Sequence, residues 1–274
     1  MKVYISADLE GINGVVNERH VARDGDDYQW AREMMTAEVN SAIKGALKAG
    51  ATEILVNDSH DTMTNIILDK LHPAACLISG GQKQFSMMEG IREDFAAAFF
   101  VGYHGRRGTA RAVMDHTYSG VTILDVQINR KSMGETGLNA LLAGYYQVPV
   151  VLVTGDQMLS TEVKELLGEE VSTVVVKEGL GRYSARCLPL QRSRQLIEEA
   201  AEKALLNKAA CSPYFLEAPY ELKVKFPRTA MADYAELLPG VKREGPITIS
   251  LTADDYPTIY KAFRALLILA YSGR

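Results

Sequence analysis

Short apolar runs alternate with longer stretches of helical periodicity along most of this chain. Residues 2–7, 53–57, 75–79, 96–101, 121–129 and 149–154 read as strands, each a brief run rich in Val, Ile, Leu, Phe or Ala. Between them, residues 28–49 carry Trp30, Met34, Ala37, Ile43 and Leu47 at helical spacing, and Gly50 ends that pattern. A second helix is predicted from Gly134-Glu135 to about Tyr146. Strands that alternate with helices imply an α/β fold with a mainly parallel, doubly wound sheet, because parallel neighbours need a long crossover and helices supply it. Beyond Cys187 the texture shifts to a charged helix (191–207), a strand (220–226), a short helix (230–237), a strand (246–251) and a closing helix (254–271). The expected division is therefore a main domain over 1–187 and a smaller α/β lobe over 188–274. The lobe holds no histidine, so its expected task is shaping a pocket or making subunit contacts.

In sheets of this kind ligands bind beyond the carboxyl ends of the strands, so the polar residues that follow each run are the candidates. They are Asp8 and Glu10 in Ser6-Ala7-Asp8-Leu9-Glu10-Gly11, Asp58 and His60 in Asn57-Asp58-Ser59-His60, His104 after Gly102-Tyr103, and Asp156 after Gly155. Asp8 and Glu10 are two apart, so on an extended backbone both face one point. Gly11 lets the chain turn away without a side chain in the way. Two such carboxylates are either a solvated strand end or half of a cation site. With His60 and His104 beside them the set has the nitrogen and oxygen donors that zinc takes. Glu135 opens a helix, where an acid ordinarily complements the dipole. His116, in Met114-Asp115-His116, follows an Arg- and Gly-rich loop; a neutral imidazole there serves either as a proton acceptor and donor or as an ordinary solvated histidine. His20 and His72 lie in polar surroundings and receive no role. Asp156 and Asn139 are candidates for holding the substrate, although an acid at a strand end commonly caps the next helix.

Composition narrows the classes. An apolar share of 47% over 274 residues supports a full core, while a net charge of −4 without basic runs gives no footprint for nucleic acid or acidic membranes. The longest apolar run, 265–271, is far short of the ~20 residues that cross a bilayer. Together with an acid at position 8 these features predict a cytoplasmic protein. Three scattered cysteines, Cys76, Cys187 and Cys211, without CxxC spacing, indicate neither a disulfide framework nor a structural zinc site. The polar loop 13–27 is a candidate lid.

Taken together and in order, Ser6 to Gly11, Asn57 to His60, Gly102 to His104, Met114 to His116 and Gly134-Glu135-Thr136-Gly137-Leu138-Asn139 resemble the motifs of the binuclear zinc D-aminopeptidases of the DppA type. The resemblance spans nearly the whole chain, with no diagnostic motif beyond Cys187. It implies two zinc ions per subunit, bridged by Asp8, with Glu10 and His104 at one and His60 and Glu135 at the other, and His116 as the catalytic histidine. It further implies hydrolysis of the N-terminal residue of short D-amino-acid-containing peptides, in a homo-oligomer of stacked pentameric rings. Two other classes stay open at this point: a binuclear metallohydrolase acting on L-peptides, γ-glutamyl peptides or other amides, and a non-catalytic binding or assembly protein stabilised by metal.

Overall fold

Alternate residues of the first strand, β1 (Lys2–Ala7), enter different halves of the core: Val3, Ile5 and Ala7 join one buried apolar cluster and Tyr4 the other. A strand apolar on both faces belongs in the middle of a covered sheet, and the computed structural model, which describes residues 1–274, places it there. In chain order the remaining strands are β2 (Glu53–Asp58), β3 (Ala75–Ile78), β4 (Ala97–Val101), β5 (Asp125–Ile128), β6 (Lys131–Ser132), β7 (Val150–Asp156), β8 (Ser172–Gly181), β9 (Ser184–Cys187), β10 (Tyr220–Lys225), β11 (Lys242–Gly245) and β12 (Thr248–Ala253). The helices are α1 (Glu18–Val21), α2 (Tyr28–Lys48), α3 (Glu135–Tyr145), α4 (Gln157–Leu167), α5 (Leu190–Leu206), α6 (Thr229–Ala235) and α7 (Tyr256–Tyr271).

Seven strands form the main sheet in the order β3-β2-β1-β4-β7-β8-β9, parallel except for the last pair. Buried residues of α2 and α5, among them Met35, Val39, Ile43, Ile197 and Leu205, pack with Val3, Ile5, Val56 and Phe99 on one face. On the other face Leu138, Leu142, Leu159, Phe263 and Leu266 of α3, α4 and α7 pack with Tyr4, Phe100 and Val153. The expected parallel, doubly wound sheet is thus present.

A second, antiparallel sheet has the order β11-β12-β10-β5-β6. Here the structure corrects the sequence reading twice. The run at 121–129 forms a strand only over Asp125–Ile128, and that strand pairs with β10 rather than entering the main sheet. Helix α5 packs against α2, on the main sheet's side. The sheets therefore interleave along the chain instead of dividing at residue 187, because β5 offers Val126 and Ile128 to the apolar layer that also takes Leu222 and Val224. The reading also left 157–186 without elements, where α4, β8 and β9 lie.

Register positions the site. Ala7 pairs with Asp58 on one side and Val101 on the other, so three strands end level, at the point where the sheet order reverses between β1 and β4. Beyond these ends two loops zip together by backbone hydrogen bonds: the Asp8 amide donates to the Val101 carbonyl and the Gly11 amide to that of Gly102, both at 2.8 Å. A Cβ on Gly11 would fall 1.8 Å from the Tyr103 carbonyl oxygen. Gly11 thus serves close approach as well as turning. Gly11→Ala is expected to cost about 2–3 kcal/mol, since the atoms it meets are the Gly102 and Tyr103 carbonyls, backbone that cannot swing aside. Urea unfolding of the zinc-loaded protein checks this, and an unchanged midpoint contradicts the close-approach reading.

Candidate metal centre

Asp8 and Glu10 follow β1, His60 follows β2, His104 follows β4, and Glu135 opens α3; all five are buried, between 2% and 7% exposed. His60 Nδ1 lies 2.8 Å from Glu10 Oε2 and 3.5 Å from Asp8 Oδ1. His104 Nε2 lies 3.5 Å from Asp8 Oδ2 and 3.3 Å from Glu135 Oε2. Asp8 stands between the two imidazoles and offers one oxygen to each. The donor atoms of Asp8, Glu10 and His104 also lie within 4.8 Å of one another.

The far nitrogen of each histidine settles the fit to a metal. His60 Nε2 donates to the Val21 carbonyl at 3.0 Å, His104 Nδ1 to the Gly105 carbonyl at 3.0 Å, and His116 Nδ1 to the Met114 carbonyl at 2.9 Å. A neutral ring so tied presents a bare lone pair on the near nitrogen. Three lone pairs then face carboxylates, and Asp8 Oδ2, Glu10 Oε2 and His104 Nε2 are buried without a hydrogen-bond partner. Acceptors facing acceptors in a buried site call for a cation. Nitrogen and carboxylate oxygen are the donors zinc takes, so these residues fit that ion.

Electrostatics without the ion agree. Burial, and then the Glu10 carboxylate, push the Asp8 carboxyl up to about 7. His60 is driven well above its ordinary range: burial opposes its charge, but Glu10 and Asp8 outweigh burial. His104 is raised in the same way, against burial, by Glu135 and Asp8. His116 differs, since burial and the charge of His104 both lower it and keep the ring neutral. It stacks on His104 with ring centroids 4.1 Å apart, and its Nε2 is 3.5 Å from Glu135 Oε1.

A cavity of about 530 Å³ opens over the cluster, with Asp8, Glu10, His60, Glu135 and His116 on its wall and His104 buried behind them. The candidate lid, 13–27, forms part of the cavity wall: α1 lies within it, Glu18, Val21, Ala22 and Arg23 line the cavity, and the Val21 carbonyl accepts from His60.

The other candidates have internal tasks. Asp58 turns from the site and accepts from the Asn65 side chain and the Ile66 amide, both at 2.7 Å, which shapes the loop carrying His60. Asp156, expected at the substrate, caps α4 through the Met158 and Leu159 amides and accepts from the Val113 amide. Asn139, also expected there, is fully buried; its oxygen accepts from Tyr118 and Tyr260, and its amide donates to Tyr103. Neither lines the cavity, because the fold consumes their polar atoms. His20 accepts from the Val16 amide and His72 from the Ala74 amide, both away from the cluster.

Sequence reasoning missed three contributors. Tyr118 donates its amide to Glu135 Oε1 at 2.7 Å and lines the cavity. Lys177, fully buried on β8, donates to the carbonyls of Glu10, Ile12 and Val15 and so pins the loop that carries Glu10; burial brings its amine down to about 8. Glu38 on α2 accepts from the Asn13 amide of the same loop at 3.1 Å. A lysine inside the apolar run Val174-Val175-Val176-Lys177 was the available signal.

No helix is long and apolar enough to cross a membrane. The chain is 38% identical over 270 residues to the D-aminopeptidase of Bacillus subtilis (strain 168), covering 98% of this chain and 96% of that one. Its fold matches a solved structure described as the zinc-dependent D-aminopeptidase DppA from Bacillus subtilis, a self-compartmentalizing protease, with a TM-score of 0.96 over 99% of this chain and 98% of that one. The model of the M55 peptidase family, described as D-aminopeptidase, matches residues 1–265, and the chain belongs to that family.

Proposed function

We propose that this protein is a zinc-dependent aminopeptidase that removes the N-terminal residue of short peptides containing D-amino acids. The observation that carries the reading is the set of histidines whose far nitrogens are tied to backbone carbonyls while their near nitrogens face Asp8, Glu10 and Glu135. In this reading Asp8, Glu10, His60, His104 and Glu135 would hold two zinc ions, Glu10 and His104 at one, His60 and Glu135 at the other, with Asp8 shared. Zinc there supplies a Lewis acid for the scissile carbonyl and makes water acidic enough to attack near neutral pH. His116, neutral and on the cavity wall, accepts a proton from the attacking water and returns it to the leaving amine. A cavity over the cluster, with a histidine beyond the five expected ligands, favours a catalytic site over a closed structural one.

The description of the related structure as self-compartmentalizing supports a homo-oligomer that encloses its sites; stacked pentameric rings are the arrangement we infer. Free cysteines at 76 and 187, both exposed, suit a reducing compartment and support a cytoplasmic location.

Release of alanine from D-Ala-D-Ala and L-Ala-L-Ala, with zinc and with chelator, tests the proposal. The D form alone is expected to be cleaved, and chelator to abolish cleavage. Turnover of the L form alone, or cleavage insensitive to chelator, overturns it.

A further inference from the structure

Three arginines line the cavity over the cluster, Arg23, Arg264 and Arg274, and they differ in how the fold holds them. Arg23 is exposed in the loop before α2. Arg274 lies over its neighbour Tyr271, 4.0 Å from the ring centroid. Arg264, on α7, is half-buried; its Nε is shut off from solvent with no hydrogen-bond partner. Its guanidinium sits over the Tyr118 ring, 5.8 Å from the centroid. Tyr118 is the residue whose amide donates to Glu135 Oε1, so a single residue separates this cation from the carboxylate cluster. Of the five acids facing the same cavity, Asp8, Glu10 and Glu135 are turned to the histidines, Glu18 accepts from Tyr183 and Asp61 is exposed; none forms an ion pair with Arg264.

A guanidinium on a cavity wall with no anionic partner of its own is open to an anion that a ligand brings. The ligand its geometry suits is a carboxylate, which takes two parallel N–H bonds from the planar fork. We propose that Arg264 is the specificity residue that binds the C-terminal carboxylate of the peptide while the scissile carbonyl lies at the cluster. This rests on the aminopeptidase reading and narrows it. Substrates are then peptides of two or three residues with a free C-terminus, short enough for both ends to be held within one cavity of about 530 Å³. Amides and esters lack that anion, and longer chains carry it further from the scissile bond. The packing on Tyr118 fixes the planar group before substrate arrives, which reduces the ordering cost of binding.

The test compares kcat/KM on D-Ala-D-Ala and on its C-terminal amide, with zinc-loaded wild type, R264M and R264K. Wild type is expected to prefer the acid by about 10- to 100-fold, chiefly through KM, the size a charge-assisted contact gives. In R264M the ratio of acid to amide is expected to collapse to about one. In R264K, which keeps the charge without the fork, part of the ratio should return. A wild-type ratio near one, or an R264M ratio equal to that of wild type, overturns the proposal. The two failures are distinguishable: wild type that cleaves acid and amide equally leaves the aminopeptidase reading standing and removes only the role of Arg264. Wild type that cleaves neither removes both. Should R264M not fold, the wild-type ratio and R264K still decide.

Discussion

Asp8→Asn is expected to reduce bound zinc below the wild-type amount and to lower activity by at least about 100-fold, while leaving the metal-free protein as stable as wild type or more so. The two halves of this expectation have one cause. Asp8 stands between His60 and His104 and offers an oxygen to each, and its Oδ2 is buried without a hydrogen-bond partner. In the proposed two-zinc reading that carboxylate would neutralise charge on both sides. Without zinc it is one of three acids in a desolvated space, and burial with the nearby Glu10 charge raises it to about 7. An acid raised in the folded state contributes stability below the unfolded value that is lost as pH climbs toward the folded one, here from the ordinary carboxylate range to about 7. Asparagine has the same shape and no charge, so at neutral pH it removes that penalty along with the ligand. Melting temperatures with chelator and with added zinc, beside zinc counted per chain, check both halves. Zinc raises wild-type stability by binding the folded form, and that gain should shrink in Asp8→Asn. A variant that keeps wild-type zinc and the wild-type gain contradicts the central place given to Asp8.

How far the sequence foretold this site depends on whether a residue acts by following a strand or by reaching in from elsewhere. Asp8, Glu10, His60 and His104 follow β1, β2 and β4, whose ends are level, so a rule about strand ends was enough to collect them. The same rule collected Asp58 and Asp156, which end strands equally well but turn to cap loops and helices. A strand-end position brings a side chain to the edge of the sheet; the amides near it decide whether it faces the ligand. Glu135 read as a dipole partner because the first turn of a helix is where such acids sit, and only the loop carrying Tyr118 turns it to the cluster. Family resemblance supplied Glu135 and His116, and no period in the chain carries either.

The fold was legible where burial follows a simple alternation and lost where a functional residue breaks it. The predicted helices at 28–49 and 134–146 coincide closely with α2 and α3, and the central strands with β1, β2, β4 and β7. Strand β8 is ten residues long, yet its apolar run Val174-Val175-Val176 is only three residues before Lys177 and Glu178 end it, too short to read as a strand. Lys177 is buried there to hold the loop after β1, so the residue that hid the strand is the one that ties it to the site. Strand β5 was read, but its sheet was not. Its partner β10 lies 94 to 100 residues further on, from Ile128 with Leu222 to Asp125 with Lys225, and pairing at that separation leaves no local trace.

His116→Ala is expected to keep the zinc content of wild type and to lose about 100- to 10,000-fold in kcat, with KM little changed, since proton transfer matters in the transition state more than in binding. Five buried donors remain after the truncation, and none depends on His116 for a hydrogen bond. What is lost in packing is the stack on His104, worth about 0.5–1.5 kcal/mol. The geometry leaves one rival, because donor atoms of His104, His116 and Glu135 lie within 4.8 Å of one another and form a ligand set by themselves. Zinc content separates the two: loss of metal together with activity makes His116 a ligand, and retained metal with lost turnover makes it the proton carrier. Full activity in His116→Ala removes it from the chemistry altogether. A further readout follows from its place on the cavity wall, where truncation leaves a space open to solutes. Added imidazole should enter that space and restore part of the turnover, with a dependence on pH that follows its neutral form, because a neutral ring is what accepts the proton.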